Sequence, residues 1–219
     1  MTIREHKSEA IESVGMHLGR VVVIMLIYSL IAMAAKWFSI ADIPIGELLL
    51  TPALEISICS IALTLQQGLK PEVSRLKDGF EMYLKSLWLY LSCNLISAFW
   101  GMLFIVPGII RYYSYSMASF IMAEHPGFSV KDARQLSREL TNEYKLRIFL
   151  FDLSFIGWYI VAIVALALLN AGMLILPLVI SVILTLGLTP YYMTAKADLY
   201  QYIKEEKNMV ELSKEYTID

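Results

Sequence analysis

Residues 86–123 read SLWLYLSCNLISAFWGMLFIVPGIIRYYSYSMASFIMA, a stretch whose one charged side chain is Arg111. As a single helix these residues would measure roughly 57 Å at 1.5 Å per residue. The hydrocarbon layer of a bilayer is only ~30 Å thick, so one straight helix cannot keep that much apolar surface in lipid. Pro107-Gly108 supplies the interruption: Pro lacks an amide donor and Gly tolerates positive φ, so the pair can reverse the chain. The stretch therefore divides into helices over 86–106 and 109–123, packed as an antiparallel pair. The second is short, and a full crossing and a re-entrant segment are both open to it.

The same arithmetic applies on either side. Residues 148–188 are also too long for one pass, and Asn170-Ala171-Gly172 is the natural turn, giving helices over 148–169 and 173–189. Pro177 is expected to bend the latter, and Thr189-Pro190-Tyr191-Tyr192 to end the membrane portion. Residues 19–38 form the first span and 48–69 the second, separated by a loop containing Pro44 and Gly46. Ala32-Met33-Ala34 resembles a signal-peptide cleavage site. However, Glu5, Glu9 and Glu12 are wrong for a basic leader, and Trp37 and Phe38 suit a membrane interface, so a retained helix is expected.

Polar connectors join the spans. Residues 1–18 pattern as an amphipathic surface helix with Ile3, Ala10, Ile11, Val14 and Leu18 on one side. Leu76, Phe80 and Leu84 mark a short helix in the 70–85 connector. Ser129-Val-Lys-Asp132 is a capping box opening another helix, with Val130, Ala133, Leu136, Leu140 and Tyr144 on its apolar face. Residues 204–219 form a charged tail. The fold class is thus all-α: a polytopic membrane helix bundle with about six transmembrane helices and short amphipathic surface helices, in a single integral domain.

Composition agrees with lipid as the solvent for much of the chain. Of 219 residues, 58% are apolar and 17% charged, with a mean hydropathy of +0.60. Soluble domains carry about 45–50% and about 25%. With six spans, 16 of the 18 Lys and Arg fall on one side, leaving only Lys36 and Arg111 on the other. The positive-inside rule then puts both termini in the cytoplasm. A net charge of −2 and the lack of a basic stripe argue against a nucleic-acid partner. Cys59 and Cys93 sit in apolar runs and read as buried free thiols.

Two stretches carry a family resemblance. Phe104-Ile-Val-Pro107-Gly108-Ile-Ile-Arg111-Tyr-Tyr113-Ser-Tyr115-Ser116-Met117 resembles a signature of the form F-x-P-G-I-[IK]-[KR]-x-Y-S-Y-S-M. Asp152-Leu-Ser154-Phe-Ile-Gly157-Trp158 resembles its companion, D-L-S-F-I-G-W. With Pro190-Tyr191 and Tyr200, they are similar to the bacterial membrane family called domain of unknown function 975, found mainly in Gram-positive Firmicutes. The resemblance covers roughly residues 50–203. It implies a multi-pass protein of the bacterial cell membrane and attaches no activity to it. The chain departs from the family pattern at Glu143, where a Gly is usual, and in a longer interval between Trp158 and Pro190.

Several motif residues admit more than one role. Arg111, three residues past the Pro-Gly turn, can snorkel to headgroups, pair with Glu55 in the second span, or bind an anionic headgroup. Asp152, a turn inside the fifth span, can meet Lys145, Lys85 or Lys196, as a fold-orienting contact or for ion coupling. The aromatic residues Tyr112, Tyr113, Tyr115, Trp37, Trp88, Trp100 and Trp158 suit interfacial belts or a ligand platform. Ser116, Ser154 and Gly157 suit close helix packing. His6, His17 and His125 match no metal-ligand spacing, and no nucleophile, phosphate-binding or cofactor motif is present. The expectation is a non-catalytic accessory, assembly or effector component of a membrane complex, with no cofactor. Its partners would be the lipid bilayer, a membrane protein or a second copy, and a bound lipid. The alternative is a small transporter or lipid-handling protein using Arg111, Glu55 and Asp152.

Overall fold

The computed structural model describes residues 2–36, 45–173 and 175–207. Trp37, Phe38, Pro44 and most of the 204–219 tail lie outside them. Among the described residues every regular element is helical. In chain order they are α1 (Ile3–Met16), α2 (Leu18–Lys36), α3 (Ile45–Gln66), a 3-10 turn (Val73–Lys77), α4 (Asp78–Glu81) and α5 (Tyr83–Leu103). There follow α6 (Ile105–Ser114), α7 (Ala118–Glu124), α8 (Val130–Thr141), α9 (Lys145–Leu153), α10 (Ile156–Asn170) and α11 (Ile175–Ile183). A π-helical turn (Leu184–Leu188) leads into α12 (Thr189–Glu206).

Four helical stretches are long and apolar enough to cross a membrane: α2, α3, α5 and the continuous run Ile175–Glu206. The pair α9–α10, bent by 47°, makes a fifth if it counts as one span. The sequence predicts six. The difference lies in 109–123, which divides into α6 and α7 around Tyr115–Met117. Ten residues of α6 reach only ~15 Å, too short to cross. The Ser114 hydroxyl donates to the Ile110 carbonyl and that of Ser116 to Tyr113, an alternative to helical bonding that serines at a break exploit.

The chain reverses three residues earlier than the sequence suggests. Phe104 is extended (φ −153, ψ 130), whereas Pro107 and Gly108 already belong to α6. Pro107 falls among the first-turn positions whose N–H has no helical acceptor, so its missing donor is harmless there. Gly108 serves by its size. The α5–α6 hairpin is so tight that a Cβ on Gly108 would stand 2.5 Å from the Gly101 Cα.

The other expected turn is present in detail. Gly172 takes φ +85, and the amides of Gly172 and Met173 donate to the carbonyls of Leu169 and Leu168 at 3.0 and 3.1 Å. These are the two bonds of a Schellman cap, which needs a residue without a Cβ at its left-handed position. Pro177 does not bend α11, because it sits in that helix's first turn. Nor does Pro190 end the helix. It occupies the first turn of α12, after the π-helical turn, so helix continues to Glu206 and carries Lys196 and Asp198 into the body.

α3 is the post around which the rest is arranged. From Pro52 to Leu65 every residue except Glu55 is buried, and α1, α2, α4, α5, α7 and α12 all pack against it. Its polar side chains are engaged. The Ser57 hydroxyl lies 2.9 Å from the Leu76 carbonyl and accepts the Gly79 amide at 3.1 Å, while Ser60 donates to the Asp78 carboxylate. Gly79 passes so close beneath α3 that a Cβ would fall 1.9 Å from the Ala53 carbonyl oxygen.

The amphipathic helices dock differently from expectation in one case. α8 opens with the Ser129–Asp132 capping box and buries Ala133, Leu136 and Leu140, as its pattern predicts. α1 is rotated: Ala10 and Val14 are buried, but Ile11 and Leu18 are exposed and His6 is fully buried. The cause is electrostatic. His6 Nδ1 lies 2.5 Å from the Asp198 carboxylate, and Gln66 donates to the other oxygen at 3.4 Å. That bond ties α1 to α12 in place of a free surface orientation.

Candidate functional site

Three helices bring polar groups to one place in this apolar body. α9 ends at the D-L-S-F-I-G-W stretch, which marks a break: Ser154 caps α9 and α10 begins at Ile156. Asp152, in the last turn of α9, thereby faces α12. Its Oδ1 accepts the Tyr192 hydroxyl at 2.8 Å and lies 3.9 Å from Lys196 Nζ. Lys196, one helical turn beyond Tyr192, donates to that hydroxyl at 3.0 Å. Only 8% of Lys196 is exposed. A cation so enclosed needs compensation, and Asp152 is the nearest of its carboxylates.

Glu55 of α3 provides a second carboxylate. Ser119 of α7 donates to it at 2.7 Å. Glu55 and Lys196 face a common cavity of about 360 Å³, with Tyr90, Asn94 and Ser97 of α5 on one wall and Tyr112, Tyr115, Ser116 and Ser119 on the other. The wall is rich in hydroxyls, and the cavity opens past the exposed Asn94 and Tyr112. Ser97 and Tyr112 also line a neighbouring, mainly apolar groove of about 480 Å³, which runs along Gly101, Ile105, Gly108, Ile109, Tyr113 and Phe149. A polar chamber thus continues into an apolar channel along the α5–α6 hairpin.

The structure sorts the motif residues into groups. Glu55, Tyr115 and Ser116 line the chamber, and Asp152 supports it through Tyr192 and Lys196. Tyr113 and Gly108 line the groove. Pro107 and Arg111 line a separate cleft with Arg138 and Lys145. The Arg111–Glu55 pair, one of the roles open to Arg111, is therefore not formed: the Arg111 guanidinium instead lies over the Trp100 ring, 5.4 Å from its centroid. Arg111 thus lies beside Arg138 and Lys145, which the expected topology puts on the opposite side from it. Gly157 has open space around it, so the close packing expected there does not occur. Trp158 is exposed, Pro190 is buried, and Tyr191 packs on the Phe155 ring at 5.4 Å.

Tyr192 and Ser119 escaped sequence reasoning. The Tyr192–Lys196 spacing of four, within a helix expected to have ended, was the available signal. A second polar clasp joins α7 to α12: Glu124 accepts from the Tyr200 hydroxyl at 2.6 Å and from Lys204 at 2.5 Å. Burial by itself would raise the Glu124 carboxyl, but these two donors and the Lys204 charge outweigh it and hold the group below the usual 4.5.

No curated protein and no solved structure matches the chain. A family model does, over residues 102–207, described as "Protein of unknown function (DUF975)". The matched segment runs from the end of α5 through α12, so it holds Asp152, Tyr192, Lys196 and Arg111 but not Glu55. Residues 102–207, which carry both signature stretches together with Asp152, Tyr192 and Lys196, match the family of domain of unknown function 975.

Proposed function

We propose that this is a non-catalytic, multi-pass protein of the bacterial cell membrane, both termini cytoplasmic, that handles an amphiphile. A small, net-neutral polar head would enter the chamber and an apolar tail would lie in the groove. The observation that carries the reading is the shared wall: Ser97 and Tyr112 line both the hydroxyl-rich chamber and the apolar groove. Opposite charges on Glu55 and Lys196 suit a zwitterionic or dipolar head better than a net ion. The chamber volume falls within the roughly 300–1,000 Å³ of small-molecule sites.

The test is lipid retention. Protein extracted in a mild neutral detergent and offered phosphatidylethanolamine is examined by native mass spectrometry beside Glu55→Gln and Lys196→Met. Bound lipid in the wild type and at least a severalfold loss in both variants supports the reading. Equal retention in all three refutes it.

A role as an accessory subunit is the second reading, favoured by the α10–α11 hairpin. Ala165 is the buried residue of α10, while Ile156, Tyr159, Ile163 and Leu166 point outward on several sides. A second membrane protein or another copy of the chain could cover that surface where lipid does not. Crosslinking from cysteine-substituted Ile163 to a specific neighbour would support it, and crosslinks to lipid alone would count against it.

A further inference from the structure

The cleft holding Arg111 lies apart from the chamber and is built for a different charge. It has a volume of about 830 Å³ and lies between α6, the polar face of α8 and the start of α9. Three cations line it: Arg111, Arg138 and Lys145. Neither arginine has a carboxylate within salt-bridge distance among the described residues. The one acid in the lining, Glu139, already accepts from Gln135 at 3.1 Å.

Two details sharpen the imbalance. Lys145 is the first residue of α9, where the aligned peptide dipoles already place positive charge. A lysine there adds to that field, and no side chain caps the helix start. Arg111 lies with its guanidinium over the Trp100 ring, a cation–π contact that leaves its N–H groups able to donate. Phosphate oxygens suit such donors.

The apolar surroundings decide which phosphate. Phe104, Ile105 and Val106, at the start of the same α6, are all strongly exposed. An occupant with a phosphodiester head at the cations and acyl chains along that surface satisfies both. We infer that the α6–α8–α9 cleft binds an anionic phospholipid by its headgroup, through Arg111, Arg138 and Lys145. This rests on the membrane reading but not on the chamber, whose residues are different.

The probe is dioleoylphosphatidylglycerol in competition with dioleoylphosphatidylcholine, offered to the full chain in neutral detergent and read by native mass spectrometry. Wild type is expected to favour the anionic lipid, and each of R111Q and R138Q to reduce the preference roughly fivefold, the worth of one cation near an anionic surface. The triple variant R111Q/R138Q/K145Q should abolish it. The K70Q/K77Q variant, which removes cations elsewhere, should leave it intact.

An unchanged preference in the triple variant overturns the inference, and so does complete displacement of the lipid by excess inorganic phosphate. If the triple variant fails to fold, the singles decide, with R138K expected to retain the preference that R138Q loses. Alkaline extraction of the membranes tests the membrane reading separately, because insertion does not depend on these three charges.

Discussion

α3 and α10 are both long, apolar and almost free of charge, yet they occupy opposite situations. α3 is enclosed by six other helices, whereas α10 packs on α11 and displays apolar side chains nearly all round. An apolar composition alone does not explain the difference. What does is the minority of polar and small residues. α3 carries Glu55, Ser57, Ser60 and Thr64, each with a partner, and a glycine from the neighbouring connector lies against its backbone. α10 has no comparable set before Asn170. In a bilayer a helix is held to protein by close packing and polar contacts, since lipid satisfies its apolar surface equally well.

This contrast can be broken most directly at Gly79. Gly79→Ala would drive a methyl into the Ala53 carbonyl, which the backbone must move to accommodate. It should cost about 3 kcal/mol, read as a lowered midpoint of thermal unfolding in detergent. An unaltered midpoint would show that α3 is not enclosed as described. A smaller effect is expected from pH. The Glu124 carboxyl, held below its ordinary value, contributes stability that is present above that value and lost as the group is protonated in the folded protein. Stability should therefore decline as pH falls from about 5 toward 3, and Glu124→Gln should flatten the decline. The smallest effect belongs to α10: Ala167→Leu, at an exposed position, should change stability by less than about 0.5 kcal/mol. A loss as large as that of Gly79→Ala would mean that α10 is covered by protein, sharpening the case for a partner.

Much of the architecture is legible in the sequence, because length and turn chemistry are local properties. The turn at Asn170–Gly172 needs only a residue able to take positive φ, and the Ser129 capping box needs only its spacing. The misreadings come from nonlocal causes. Pro107-Gly108 looks like a turn, but Gly108 is needed for its contact with Gly101 across the hairpin, a relation that spacing does not reveal. Pro190 looks like a terminus, but a π-helical turn lets the helix pass through it. The apolar face expected of α1 is rotated by a buried bond from His6 to Asp198, 192 positions away. Asp152 and Lys196 could be linked from the sequence by charge. Placing Glu55 beside them required knowing that α3 and α12 are neighbours.

The enclosure of α3 also sets an order of events in time. It leaves the ribosome long before α12, and the 141 residues from Glu55 to Lys196 take roughly 7–30 s to synthesise at about 5–20 residues per second. During that interval the Glu55 carboxylate of α3 has no Lys196 across the chamber from it. The half-made chain must leave this helix at the lipid boundary or lodge it against an insertion factor until its final segment arrives.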